Sequence, residues 1–175
     1  MYKTVVFDLD GTLLNTLTDL ADAGNRLCRK YGWPTHERQA YRYFVGNGIP
    51  KLVERLAPAD QRTPAVLEAA LADFKRDYGQ HLRDTTAPYP GIPEMLAKLK
   101  ANGVQLAVFS NKADALAKEV VKDYFGTQYF TIVRGQMTGV APKPAAEGTN
   151  ALLQALHADP ASTLYVGDSN VDVET

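Results

Sequence analysis

From Pro88 onward, the chain alternates between segments with the pattern of buried strands and segments with the pattern of helices. Each predicted strand is a short apolar run, and each predicted helix has apolar residues at helical spacing. Such alternation predicts an α/β fold, a Rossmann-like parallel sheet covered by helices on both faces. The predicted strands are Val104–Phe109, Phe130–Val133 and Thr163–Val166, and the predicted helices are Pro93–Asn102, Ala113–Tyr124 and Pro144–His157.

An earlier apolar run, Val5-Val6-Phe7, predicts a further buried strand that ends in Asp8-Leu9-Asp10-Gly11-Thr12. Asp8 and Asp10 are two residues apart, so their carboxylates point the same way in an extended backbone and repel each other. A hard divalent cation such as Mg²⁺ is the natural group to lie between them. Gly11 lets the backbone turn closely around a bound group, and Thr12 adds a hydroxyl.

Between this strand and Pro88 lies a segment with helical patterns and no strand pattern. We therefore expect residues 1–15 and 87–175 to form a Rossmann-like catalytic core, with residues 16–86 inserted as a helical cap domain. The sequence stops at Thr175, soon after the last predicted strand. Since a doubly wound sheet usually continues, a C-terminal strand and helix are expected to be absent, which would leave a sheet edge open.

The composition of the chain limits the kinds of molecule that it is expected to bind. The net charge of −1 argues against a broad surface for nucleic acid or membrane. No apolar run reaches the ~20 residues of a membrane helix, and the N-terminus lacks a signal-peptide pattern. Cys28 is the only cysteine, which fits the reducing cytoplasm. The expectation is a cytoplasmic monomer or homodimer that acts on a small molecule.

Polar residues follow the predicted strands where ligands bind in open parallel sheets, at the carboxyl ends. They are Asp8 and Asp10 after the first strand, Ser110 and Asn111 after the second, and Asp168 after the last. Two further charged residues are expected nearby: Lys143 at the start of a predicted helix, and Asp172 one helical turn beyond Asp168. Carboxylates with one ammonium group and free amides suit Mg²⁺-dependent phosphoryl transfer. Phosphoryl oxygens would be bound by Lys143 and Ser110, together with Asn111, Gly11 and Thr12. Asp10 would exchange a proton with the leaving group and the attacking water.

These residues resemble the four motifs of the haloacid dehalogenase superfamily, in the same order along the chain. Asp8-Leu9-Asp10-Gly11-Thr12 resembles the first motif, Ser110 the second, Lys143 the third, and Gly167-Asp168-Ser169-Asn170-Val171-Asp172 the fourth. The resemblance implies that Asp8 is a nucleophile forming an aspartyl-phosphate and that Asp10 is the general acid and base. It implies Mg²⁺ held by the Asp8 and Asp168 side chains and the Asp10 backbone carbonyl, with Asp172 supporting the metal site and a cap closing over the substrate.

The inserted segment carries a narrower resemblance. Val45-Gly46-Asn47-Gly48, followed by Leu52-Val53-Glu54-Arg55, is similar to the cap of phosphoglycolate phosphatases. This implies substrate contact by Gly46, Asn47 and Gly48, and 2-phosphoglycolate as the first substrate to consider. Asp10 also favours phosphate esters, because dehalogenases of the superfamily usually lack an acid at that position.

Three alternatives stay open at this point. A sugar phosphomutase would pass the same phosphoryl group to a sugar instead of water. A phosphorylation-driven signalling module also combines acids, a hydroxyl and a lysine at strand ends, although its acceptor normally follows the third strand, which here ends in Arg134-Gly135. The chain could also be an inactive fragment that lacks its C-terminal part.

Overall fold

The computed structural model describes residues 2–175, which form two compact units. The first unit contains the chain up to Asn15 together with Pro88–Thr175, and the second contains Thr16–Ala87. The strands are β1 (Thr4–Phe7), β2 (Leu14–Asn15), β3 (Ala87–Pro88), β4 (Gln105–Ala113), β5 (Ile132–Gln136) and β6 (Thr163–Val166). The α-helices are α1 (Leu17–Tyr31), α2 (Tyr41–Phe44), α3 (Ile49–Leu56), α4 (Pro64–Gln80), α5 (Ile92–Ala101), α6 (Asp114–Phe125), α7 (Ala146–Leu156) and α8 (Asn170–Glu174), with 3₁₀ turns at Arg38–Ala40, Ala59–Gln61 and Pro160–Ser162.

Four strands of the first unit form a parallel sheet in the order β5-β4-β1-β6. In register, Phe7 lies beside Val108 of β4 and Val166 of β6. The carboxyl ends of β1 and β6 therefore lie side by side at one edge of the sheet, and β4 continues beyond them to Ala113. This arrangement confirms the predicted α/β class and parallel sheet.

Alternate residues of the central strands pack on opposite faces of the sheet, as the two-residue period of a strand requires. Val5 and Phe7 belong to a core cluster that includes residues of α5 and α6. Val6 and Phe109 belong to a second cluster with residues of α7, among them Leu152. Helices therefore cover both faces, which explains why the central strands have almost continuous apolar sequences.

The prediction that the second strand of the core ends at Phe109 is wrong, because β4 continues to Ala113. The pairing register with β5 shifts between Phe109 and Ala113. Gly135 permits this close pairing, since a Cβ there would lie 2.5 Å from the Lys112 carbonyl oxygen. The predicted Phe130–Val133 strand is displaced by two to three residues, and β5 is found at Ile132–Gln136.

The second unit consists of helices and turns, without a strand between Thr16 and Thr86 in the described chain. Helices α1 and α4 pack through buried residues such as Leu27 and Phe74. The Arg26 guanidinium donates to both carboxylate oxygens of Asp77, at 3.1 and 2.9 Å from Nε. Among residues 2–175, no helix has the length and apolar character needed to cross a bilayer.

Asp19 fixes the end of this unit to its first helix. Its carboxylate accepts hydrogen bonds from the backbone N–H groups of Thr85 and Thr86 at 2.9 Å, and from both hydroxyls at 2.5 and 2.7 Å. Burial acts to raise the pKa of Asp19, but these hydrogen bonds outweigh it and hold the pKa below the ordinary value. The ionised carboxylate is therefore the form that stabilises the unit.

We expect Asp19→Ala to lower the free energy of unfolding by about 2–4 kcal/mol at pH 7, because four donor groups lose their acceptor. Because folding lowers the pKa of Asp19, its carboxylate stabilises the protein above the unfolded-state pKa of 3.8. This stabilisation is lost as the pH falls through the pKa of the folded state. The difference between the two proteins should therefore shrink in acid. Urea unfolding across a pH series measures it, with Asp22→Ala, an exposed change on the same helix, as the control. Equal stability of wild type and Asp19→Ala would contradict this role.

Candidate active site

Asp8 directly follows β1 and is 7% exposed. Its backbone N–H donates to the Val166 carbonyl at 2.9 Å, which continues the pairing with β6. Its Oδ1 accepts a hydrogen bond from Lys143 Nζ at 2.9 Å. Burial raises the pKa of Asp8 to about 6, against the opposing effect of the Lys143 charge. The raised pKa means that the Asp8 carboxylate takes up a proton at a higher pH than an exposed aspartate does.

The Lys143 ammonium lies between carboxylates of two different elements. It donates to Asp8 Oδ1 at 2.9 Å, to Asp172 Oδ1 at 2.7 Å and to the Tyr165 hydroxyl at 2.8 Å. These contacts use the three N–H groups of an ammonium. Lys143 does not open a helix as expected from the sequence, because α7 begins later, at Ala146.

Asn111 holds the backbone of Lys143 in place. The Lys143 N–H donates to Asn111 Oδ1 at 2.8 Å, and Asn111 Nδ2 donates to the Lys143 carbonyl at 3.2 Å. The sequence suggested Asn111 as a phosphate-binding residue, and that role stays a prediction. In the structure, the Asn111 side chain joins the extended end of β4 to the Lys143 loop, 32 residues away.

Tyr165 is a site residue that the sequence did not identify. Its hydroxyl lies 3.0 Å from the Phe109 carbonyl and 3.3 Å from Asp172 Oδ1, in addition to its contact with Lys143. Burial, together with the charges of Asp8 and Asp172, raises the pKa of the Tyr165 phenol far above its ordinary value. The hydroxyl is therefore neutral and can accept from Lys143 while donating its proton. A tyrosine in a predicted strand looks like core, so no local signal marks it.

Asp168 follows β6 and is held beside the loop that follows β1. Its Oδ1 accepts from the Thr12 hydroxyl at 3.1 Å. Gly11 makes this approach possible, because it has φ +90° and a Cβ there would lie 2.3 Å from Asp168 Oδ2. Burial, followed by the Asp172 charge, raises the pKa of Asp168. Gly11 and Thr12 thus lie directly against Asp168, and phosphate binding by these two residues stays a prediction.

Asp172 lies in the first turn of the short helix α8 and is fixed through both carboxylate oxygens. Oδ2 accepts from the Ser169 N–H at 3.0 Å and from its hydroxyl at 2.6 Å, while Oδ1 faces Lys143. Burial acts to raise the pKa of Asp172, but Lys143 and Ser169 lower it overall. Asp172 therefore remains ionised beside the ammonium group.

Carboxylate oxygens of Asp8, Asp168 and Asp172 lie within 4.8 Å of one another. Three oxygen donors at this spacing suit a hard divalent cation better than a soft metal. The glycine at position 11 agrees with a metal site here, since any side chain at this position would fill the space beside the Asp168 carboxylate. The residues present therefore fit a divalent metal site.

Asp10 pairs with a second buried lysine, which the sequence reading did not single out. Lys112 Nζ lies 3.0 Å from Asp10 Oδ1 and 3.3 Å from Oδ2, and its side chain is 2% exposed. The Ser110 hydroxyl, also buried, accepts from the Lys112 N–H at 3.2 Å. Lys112 was missed because the polar run that contains it was predicted to lie beyond the strand.

The other predicted substrate contacts lie in the helical unit, between α2 and α3. Gly46 and Gly48 have positive φ angles of 111° and 83°. Asn47 Oδ1 accepts from Arg55 Nη2 at 2.9 Å, and Arg55 Nη1 donates to the Phe44 carbonyl at 2.8 Å. Arg55 thus fixes the turn, while contact of Gly46, Asn47 and Gly48 with a substrate stays a prediction.

Comparisons with known proteins by sequence and by structure agree with one another. Residues 5–175 match the family model described as haloacid dehalogenase-like hydrolase. The phosphoglycolate phosphatase of Thiobacillus denitrificans is 31% identical over 98% of this chain and 77% of its own length. That of Neisseria meningitidis is 33% identical, over 98% of this chain and 74% of its own. A crystal structure described as a predicted phosphoglycolate phosphatase from Haemophilus somnus superposes with a TM-score of 0.88 at 27% identity, covering 99% of this chain and 80% of that one.

Proposed function

Because the chain belongs to the haloacid dehalogenase-like hydrolase family and is a phosphatase, we propose that it hydrolyses small phosphate monoesters, 2-phosphoglycolate first, with Mg²⁺ and with Asp8 as nucleophile. The observation that carries the proposal is the meeting of Asp8, Lys143, Asp168 and Asp172 at one edge of the sheet. Two relatives that are phosphoglycolate phosphatases support the choice of substrate.

In the proposed reaction, an Asp8 carboxylate oxygen attacks phosphorus and the bond from phosphorus to the ester oxygen breaks. Asp10 gives its proton to the departing alkoxide. Water then attacks the aspartyl-phosphate, Asp10 takes a proton from that water, and the bond between phosphorus and Asp8 breaks to release inorganic phosphate. Lys143, Ser110 and nearby amides would stabilise the charge on the phosphoryl oxygens.

The charges of the site support a divalent cation. Asp8, Asp10, Asp168 and Asp172 carry four negative charges when ionised, while Lys112 and Lys143 supply two positive ones. A dianionic phosphate monoester would be repelled by this excess. Bound Mg²⁺ would supply the missing positive charge and polarise a phosphoryl oxygen. Asp8, Asp168 and the Asp10 carbonyl are the proposed ligands, and Asp172 is proposed to support them, since both of its oxygens already accept hydrogen bonds.

Removal of divalent metal with EDTA should abolish phosphate release, and added Mg²⁺ should restore it. Because the pKa of Asp8 is about 6, protons compete with the metal, and we expect roughly tenfold weaker Mg²⁺ binding at pH 5 than at pH 7.5. Calorimetric titration with Mg²⁺ alone measures this. Asp168→Asn should weaken binding further, whereas Asp60→Asn, an exposed control, should not. Full activity in EDTA would contradict the metal-dependent mechanism.

A substrate screen tests the proposal directly. Purified protein with Mg²⁺ is offered 2-phosphoglycolate and a panel of sugar phosphates, and inorganic phosphate is measured. We expect the highest kcat/KM for 2-phosphoglycolate. Transfer of label between sugar phosphates without phosphate release would instead indicate a phosphomutase.

We also propose that residues 16–86 form a cap whose Gly46, Asn47 and Gly48 contact the substrate. Asn47→Ala should then raise KM for 2-phosphoglycolate.

A further inference from the structure

Lys112 is a buried cation next to the acid that the proposed reaction uses for proton transfer. Its side chain is 2% exposed, and its Nζ lies 3.0 and 3.3 Å from the two carboxylate oxygens of Asp10. The family resemblance places roles on Asp8, Asp10, Ser110 and Lys143 but none on this residue. A buried ammonium group requires anionic neighbours, because burial without them is strongly unfavourable.

We propose that Lys112 binds the carboxylate of an acidic substrate and thereby selects phosphate esters whose alcohol carries an acid close to the ester oxygen. This inference rests on the proposed function, since it assumes that Asp10 faces the leaving group. Lys112 is on this view a specificity-determining residue. Lys112 pairs with Asp10 in the substrate-free protein, and it would pair with the substrate carboxylate when Asp10 carries the proton for the leaving group.

The position of the leaving group follows from the chemistry of proton transfer. An acid that protonates the ester oxygen must lie within hydrogen-bond reach of it. Lys112 Nζ is in contact with that same acid, so the atoms attached to the ester oxygen lie close to Nζ. In 2-phosphoglycolate, the carboxylate is one methylene away from the ester oxygen. It would therefore arrive beside Lys112, whereas most sugar phosphates present hydroxyl groups there.

The two buried lysines are not equivalent. Lys143 directs its three N–H groups to Asp8, Asp172 and Tyr165 on the phosphate side of the site. Lys112 is paired with Asp10, on the side of the leaving group. Without Lys112, the substrate carboxylate would lie in a buried position without this cation beside it. A compact ammonium group can attract several oxygens, so it suits a position where the substrate carboxylate lies next to the Asp10 carboxyl group.

The experiment compares 2-phosphoglycolate with its amide, which keeps the phosphate group and nearly the same shape but lacks the carboxylate charge. Wild-type protein should favour the acid over the amide in kcat/KM by at least about tenfold, as expected for a charge-assisted hydrogen bond. Lys112→Met should reduce kcat/KM for the acid by roughly 10- to 100-fold more than for the amide. Lys118→Met removes an exposed lysine that pairs with Asp114 on α6, and it should leave the preference unchanged.

Other results would overturn the inference. If Lys112→Met lowers both rates by the same factor, Lys112 only positions Asp10, and the proposed function survives without this selectivity. If Lys112→Met does not fold, as judged by circular dichroism, the wild-type comparison decides, and equal rates for acid and amide refute carboxylate binding. If wild type releases phosphate from neither compound nor from any ester tested, the proposed function fails, and this inference fails with it.

Discussion

Asp8→Asn is expected to reduce phosphate release by at least about 10³-fold, because an amide cannot replace the carboxylate that we propose as the nucleophile. The substitution keeps the shape of the side chain and an oxygen that can accept a hydrogen bond from Lys143. In the wild-type structure, Lys143 Nζ lies 2.9 Å from Asp8 Oδ1. We therefore expect the fold to be intact. Phosphate release and circular dichroism of the same preparation check the two parts of this prediction.

The stability of this variant gives a second, independent readout. A carboxyl group whose pKa is raised from 3.8 to about 6 by folding stabilises the protein less as the pH rises between those values. Asparagine does not titrate, so metal-free Asp8→Asn should melt at the same temperature as wild type, or higher, at pH 7.5. Asp60→Asn serves as an exposed control with unchanged activity and stability. Turnover at the wild-type rate by purified Asp8→Asn would remove Asp8 from the mechanism.

The predictable part of the site follows from the properties of parallel sheets. Asp8 and Asp168 come directly after short apolar runs, and parallel strands align their carboxyl ends. That rule alone is enough to predict that residues 160 positions apart in the sequence meet. The carboxyl ends of β1 and β6 also follow from local patterns, because the apolar residues of each strand end where polar residues begin.

What could not be predicted are polar side chains that are buried through distant partners. Lys112 meets Asp10 across 102 residues, and Asp19 meets Thr85 across 66. In the sequence each of them looks like a solvated residue, because only the partner makes burial favourable. The end of β4 was misplaced for the same reason, since Ser110, Asn111 and Lys112 are polar yet buried.

Lys143→Met is expected to lower kcat/KM by at least about 10²-fold, because the phosphoryl group loses a positive charge at close range. It should also destabilise the metal-free protein at pH 7.5 by about 3–5 kcal/mol, since Asp8 and Asp172 would then face each other without the cation between them. Kinetics and urea unfolding measure the two effects. Lys118→Met, at an exposed ion pair, should change neither.

The dependence on pH and metal separates lost charge from lost packing. Without Lys143, like-charge repulsion should raise the pKa of both Asp8 and Asp172 above their wild-type values, so the variant should lose stability relative to wild type as the pH rises from about 4 to 7. Added Mg²⁺ should stabilise Lys143→Met more than wild type, because a cation among the carboxylates replaces part of the missing charge. A stability difference that depends on neither pH nor Mg²⁺ would show that Lys143 acts through packing, and the electrostatic account of the site would then be wrong.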